Sequence, residues 1–169
     1  MFDYGVRLIG NLGRREKRAK ILRGMGDIKE SAEVSAFFNY KPLPQIAINH
    51  SVSYGAGNDH RGMLFNLEAS FSKTIGSRLR AGTSLGASYA NDNYMQSFFG
   101  VTRAQAQRTL LPQYQAKAGL RNMYVSGFVS YMLTDRTALS LLVTSDRLTG
   151  DAKASPLTKK PRSSSVVGA

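Results

Sequence analysis

The chain has 169 residues, no cysteine and a formal net charge of +12. The lack of cysteine excludes disulfides, thiolate metal sites and cysteine nucleophiles, whereas the positive charge raises the question of a nucleic acid partner. Although 42% of the residues are hydrophobic, no stretch approaches the roughly 18 consecutive apolar residues of a membrane-spanning helix.

Apolar and polar residues alternate along much of the chain, which is the period of a strand with two unlike faces. The clearest segment runs from Met63 to Ser72, where Met63, Phe65 and Leu67 alternate with polar neighbours such as Asn66. In chain order, the predicted strands are 2–12, 33–40, 46–54, 63–72, 78–89, 123–132 and 137–148, and 163–169 is predicted to begin another.

The polar side of these strands is rich in glycine, serine and isolated charges. A soluble sandwich turns its apolar side inward and exposes mainly Lys, Glu and Thr, whereas small residues with scattered charges suit the interior of a transmembrane barrel. The carboxylates are expected to pair with arginines across that interior. The charges predicted to line it are Arg7, Glu33, Glu68, Arg78 and Arg80.

The predicted connections alternate in length. Tight turns at 41–44, 74–77 and 133–136 alternate with longer loops at about 13–29, 56–61, 91–117 and 149–162. Outer-membrane barrels have this asymmetry, with turns in the periplasm and loops outside. The sequence therefore predicts an all-β, antiparallel, up-and-down transmembrane β-barrel. It would be incomplete, with about 7–8 strands of a larger barrel, and residues 1–169 would form a single domain.

The basic residues concentrate in the predicted loops and not along one continuous surface. Loop cations can meet anionic lipopolysaccharide or simply be solvated, so outer-membrane lipid and lipopolysaccharide are expected as partners and nucleic acid is not. These residues are Arg14, Arg15, Lys17, Arg18, Lys20, Arg23, Lys153, Lys159, Lys160 and Arg162.

One loop carries more aromatic side chains than a solvated connection needs: Tyr94, Phe98, Phe99 and Tyr114. A loop of this length that keeps apolar rings has to bury them somewhere. Two interpretations are open, a plug folded into the barrel mouth and a face that contacts a partner protein.

No catalytic or cofactor-binding pattern stands out. His50, His60 and the neighbouring Asp59 could supply metal ligands, but one histidine falls on a predicted strand and the other in a loop. Nucleophile motifs and phosphate-binding glycine loops are missing from the sequence. No enzyme activity, metal or cofactor is therefore expected.

The segment from Asn91 to Thr102, with the later runs 111–114 and 118–120, resembles the MipA/OmpV family of MltA-interacting proteins, and the likeness covers nearly the whole chain. The resemblance implies a non-enzymatic barrel of the bacterial outer membrane, a scaffold joining the lytic transglycosylase MltA to a bifunctional murein synthase. A small pore and an adhesin are the alternatives.

The chain departs from that family at both ends. Met1–Gly5 shows no signal peptide, and the last strand does not end in an aromatic residue. A reading frame truncated at both ends is expected, located in the outer membrane if it is exported.

Overall fold

The computed structural model describes residues 1–57, 59–158 and 165–168, the last four for their backbone alone. Eight strands form one antiparallel sheet in which each strand pairs with the next along the chain. They are β1 (Phe2–Asn11), β2 (Ser31–Leu43), β3 (Ile46–Ala56), β4 (Gly62–Ile75), β5 (Leu79–Ala90), β6 (Gly119–Thr134), β7 (Thr137–Leu148) and β8 (Ser165–Gly168).

The predicted strands are confirmed, with differences at their ends. β6 begins at Gly119, four residues before the predicted start, because its register with β5 continues to Ala90 beyond a bulge at Ser88 and Tyr89. Of the predicted strand 163–169, residues 165–168 pair with β7, and the rest lies outside the described residues.

The two faces of the sheet have opposite exposures. The apolar face, which carries Tyr4, Val6 and Leu8 on β1, is open to the surroundings, and Leu8 keeps 78% of its surface exposed. The polar face is less exposed and is fully buried near its cap end, with Ser35 at 0% and Ser88 at 2%. This distribution is the reverse of that in a soluble sheet, where burial of the apolar side drives folding.

The sheet is open. In the part of the chain that the structure describes, β1 pairs only with β2 and β8 only with β7. The antiparallel meander predicted from the sequence is therefore present, and the sheet does not close on itself. The predicted membership of a larger transmembrane barrel stays a prediction.

Short and long connections emerge at opposite ends of the sheet. The three tight turns join β2 to β3, β4 to β5 and β6 to β7. At the other end, three long segments (12–30, 91–118 and 149–158), which we call the cap, contain α1 (Asp92–Phe99), α2 (Arg103–Arg108), α3 (Gly150–Ala154) and two single-turn 3-10 segments, Glu16–Arg18 and Lys20–Leu22.

The described helices are all short, and none could cross a membrane.

The apolar core of the molecule lies where the cap meets the sheet. Met95 and Ala152 are fully buried there beside Ala56 and Ala90, which end two strands. Leu64, Phe98, Phe99, Tyr114 and Leu148 pack against this cluster. The sheet therefore supplies few buried apolar contacts of its own, and the cap closes one end of it.

Candidate functional site: the polar face and the cap

Carboxylates on the polar face are held by asparagine amides from the neighbouring strand. The Asn49 amide donates to Glu68 across 3.1 Å, and the two residues stand directly opposite in the register of β3 and β4. Diagonal pairs, two residues apart in the register, join β1 to β2 and β6 to β7 through Asn11 to Glu33 and Asn122 to Asp146. The amides of Asn11 and Asn49 bond the carboxylates of Glu33 and Glu68, which burial has deprived of part of their hydration.

Glu68 is the centre of this network. Its second carboxylate oxygen accepts a hydrogen bond of 2.6 Å from the Tyr124 hydroxyl, although Tyr124 belongs to β6, two strands away. The ring reaches Glu68 by lying across Gly86 on the strand between them, where a Cβ atom would come within 2.2 Å of Cζ. A glycine opposite an aromatic residue therefore lets one side chain join three strands.

Arginines on the polar face lie on aromatic rings instead of beside carboxylates. The Arg7 guanidinium is 5.1 Å from the centre of the Phe37 ring, and that of Arg80 is 5.8 Å from the Phe128 ring, within range of a cation–π contact. Arg80 also donates to the Ser72 hydroxyl.

The pairing of Glu33 and Glu68 with arginines, expected from the sequence, is wrong. The ion pair found among the described residues is Arg15 with Glu30, which lies in the cap. The two carboxylates are bonded instead by asparagines on the neighbouring strand, and Glu68 also by Tyr124, whose ring crosses Gly86. Of the five predicted interior charges, Arg7, Glu33, Glu68 and Arg80 share the polar face, and Arg78 lies exposed in the turn before β5.

The four aromatic residues singled out in the long loop belong to the cap. Tyr94 is 8% exposed, and its ring stacks on Phe98 with 4.6 Å between the ring centres. Phe99 and Tyr114 are half-buried against the same cluster. The structure brings the four together in one small core, which closes over the end of the sheet.

Asn91 begins α1 and fastens it to the sheet. Its side-chain oxygen accepts from the backbone N–H of Tyr94, which caps the helix, and from that of Met63 at the start of β4. Its amide nitrogen donates to the carbonyl oxygen of Arg61. One asparagine therefore fixes both the start of the helix and its position on β4.

The other end of this segment is held by α3. The Asp151 carboxylate accepts from the backbone N–H of Lys117 at 2.8 Å, and the Tyr114 hydroxyl donates to the Asp151 carbonyl oxygen. Burial, with the nearby Asp151 charge, raises the pKa of Tyr114, so its phenol stays protonated in the folded cap. The Ser155 hydroxyl donates to the carbonyl oxygen of Phe99 and links α3 to α1.

A half-buried cation, Arg14, joins cap segment 12–30 to α1. Arg14 donates from Nη1 to the carbonyl oxygen of Phe98 at 2.8 Å, in the last turn of the helix, where the helix dipole favours positive charge. Burial lowers the pKa of Arg14, and its Nε finds no hydrogen-bond partner among the residues that the structure describes.

A chain of hydrogen bonds connects the cap with the polar face. Arg121 donates from one nitrogen to the Tyr94 hydroxyl and from another to the Asn122 side chain, and Asn122 donates to Asp146. Arg121, Asn122, Tyr124 and Asp146 were not predicted as site residues, because the alternation of β6 and β7 is weak and the partners of these residues depend on the strand register.

The histidines do not come together as a site. His50 is exposed on the apolar face near Phe38, and His60 lies in a loop with a positive φ of 55°. Over the described parts of the chain, no group of three His, Cys, Asp or Glu side chains is placed to hold a metal ion.

Comparison with known proteins identifies the family. No curated protein and no solved structure matches the chain. The family model described as MltA-interacting protein MipA matches residues 1–169, the whole length of the chain. This agrees with the resemblance noted at residues 91–120, and the chain belongs to the family of MltA-interacting proteins.

Proposed function

We propose that residues 1–169 form, as one domain, the wall and cap of an outer-membrane β-barrel, a non-enzymatic scaffold that binds an MltA-type lytic transglycosylase. A bifunctional murein synthase is the second enzyme that such a scaffold would hold. The observation that carries the proposal is the exposure of the apolar face, because it gives the molecule the surface that a lipid bilayer requires.

The apolar face supports the membrane assignment strand by strand. On β4, Phe65, Leu67 and Phe71 keep between 39% and 48% of their surface exposed, and Val125 and Val129 on β6 keep 49% and 46%. Exposed apolar rows of this extent are unfavourable in water but match the lipid-facing band of a barrel. The polar face would then surround the lumen, with Arg7, Glu33, Glu68 and Arg80 along it and Arg78 at its rim.

The unequal connections give the proposed barrel its orientation. Tight turns in such barrels face the periplasm and long loops face outward, so the cap would lie outside. Murein enzymes work in the periplasm, and the turn end would therefore be their docking surface. That end carries exposed cations near every tight turn, and Lys41, Arg78 and Arg136 provide one for each turn.

The proposal is tested by binding to purified MltA after refolding the protein into lipid vesicles. Heat-modified gel mobility reports whether the barrel has formed. Replacing Lys41, Arg78 and Arg136 together with Glu should weaken the binding at least about tenfold and flatten its salt dependence, because charges at the rim of an interface govern encounter and orientation.

A matched control places three Glu substitutions in the cap, at the exposed residues Lys20, Arg103 and Arg108, and should bind MltA as the parent protein does. Equal loss in both variants would contradict docking at the turn end. If the parent protein refolds with heat-modified mobility but does not bind MltA, the scaffold function is wrong. If it never enters vesicles, the barrel itself is wrong.

A further inference from the structure

Two adjoining clefts open in the cap beside the end of β1. Their volumes are about 510 and 490 Å³, and they share Leu12, Arg15, Lys17 and Glu30. Ile28, Asp27 and Lys29 complete the first cleft, and Arg18 completes the second. The lining combines apolar side chains with four cations and two carboxylates, a mixture that suits an anionic ligand with an apolar part.

The apolar side of the clefts continues the apolar face of the sheet. Leu12 comes directly after β1, four residues beyond Leu8 of the apolar face, and keeps 74% of its surface exposed. The cations Arg15, Lys17 and Arg18 come directly after it in the chain and are exposed. Apolar rows that end in cations mark the level where lipid headgroups begin.

Two acidic side chains near the clefts, Glu16 and Asp27, accept hydrogen bonds from backbone N–H groups of their own loop. The Glu16 carboxylate accepts from the backbone N–H groups of Gly24 and Gly26 at 3.1 and 3.0 Å, and Asp27 accepts from that of Glu16. Both glycines have positive φ, 85° and 78°, which turns their N–H groups towards Glu16.

One cation of the clefts is neutralised and the others are available. Glu30 pairs with Arg15 at 3.0 Å. In the portion of the chain that the structure describes, no carboxylate forms an ion pair with Lys17, Arg18 or Lys29. The clefts therefore present three cations whose charge is not balanced by a direct partner.

We propose that these clefts bind the phosphate group of an anionic membrane lipid, whose acyl chain lies along the apolar face of β1. Lys17, Arg18 and Lys29 contact the phosphate, and Leu12 contacts the start of the chain. This inference rests on the proposed membrane barrel. A lipid fits better than free phosphate because the cations adjoin an apolar surface that free phosphate would leave uncovered.

The test is native mass spectrometry of the full refolded chain in neutral detergent with phosphatidic acid as the probe. The parent protein should retain bound phosphatidic acid and should not retain phosphatidylcholine. Replacing Lys17 and Arg18 together with Gln should weaken retention at least about tenfold, because each cation near a lipid surface contributes about fivefold in affinity.

The matched control is replacement of Arg103 and Arg108 with Gln, which removes two exposed charges on α2 and leaves the clefts unchanged. Equal loss in both variants would show general attraction to charge and overturn the site. Displacement of phosphatidic acid by millimolar inorganic phosphate would overturn the choice of a lipid. Heat-modified mobility, measured on the same samples, separates these failures from a failure of the barrel.

Discussion

At the scale of single residues, the polar face depends on a glycine that makes room for a ring. Gly86 stands opposite Tyr124 in the register of β5 and β6, and its missing side chain lets the ring cross to Glu68. The aromatic surface covers backbone that glycine leaves bare, while the hydroxyl satisfies the carboxylate. Gly82 and Phe128 repeat the pair lower on the same strands.

The Gly86→Ala variant should therefore lose stability by about 1–3 kcal/mol, because the new methyl group would displace the Tyr124 ring and break its bond to Glu68. Urea unfolding of the refolded protein measures the change. Gly127→Ala is the control, since the nearest atom to its new Cβ is the Gly82 carbonyl oxygen at 3.8 Å. Equal losses in the two variants would mean that the ring does not depend on Gly86.

The sequence predicts on which face of the sheet a residue lies better than it predicts the residue's hydrogen-bond partners. Alternation alone assigns Glu33, Glu68 and Arg7 to one face, since the side-chain period of a strand is two. The partners of the carboxylates require the register between strands, which a one-residue shift would change completely. The sequence therefore predicted the charges but paired them with arginine in place of asparagine.

At the scale of elements, strands were easier to predict than helices. Strands β1 to β7 repeat their two-residue period over ten residues or more, whereas α1, α2 and α3 have eight, six and five residues. Helices this short are marginal by themselves. Local caps at Asn91 and Thr102 and contacts with the end of the sheet stabilise them, and these contacts are not visible as periodicity.

Phe98 and Phe99 of α1 pack in the apolar core beneath the cap. Replacing both with Ser should therefore lower the free energy of opening the cap by about 3 kcal/mol. Hydrogen exchange of the α1 amides should quicken, while binding to MltA stays unchanged. Leu110→Ser is the control, because Leu110 is fully exposed and its loss should not alter exchange. Slow exchange combined with lost MltA binding would instead identify the two phenylalanines as a partner face.

At the scale of the whole molecule, the two faces and the two ends of the sheet have different chemistry. One face is apolar and the other polar, the cap packs its aromatic residues over one end, and short turns with cations form the other end. In a closed barrel, this arrangement would place a plug at the outer mouth and leave the periplasmic end free for enzymes. It favours a scaffold over a pore, and the two functions differ in conductance.

The full chain in planar bilayers should therefore show no discrete single-channel steps, because the cap would block the lumen. Replacing residues 92–117 with a short glycine-serine turn should produce such steps. The deletion is compatible with the fold, since Ala90 and Gly119 pair directly and the new turn would join β5 to β6 as a hairpin. Steps from the intact protein would show that the cap leaves a path for ions, and would favour a pore lined by Arg7, Arg80 and Glu68 over a plugged scaffold.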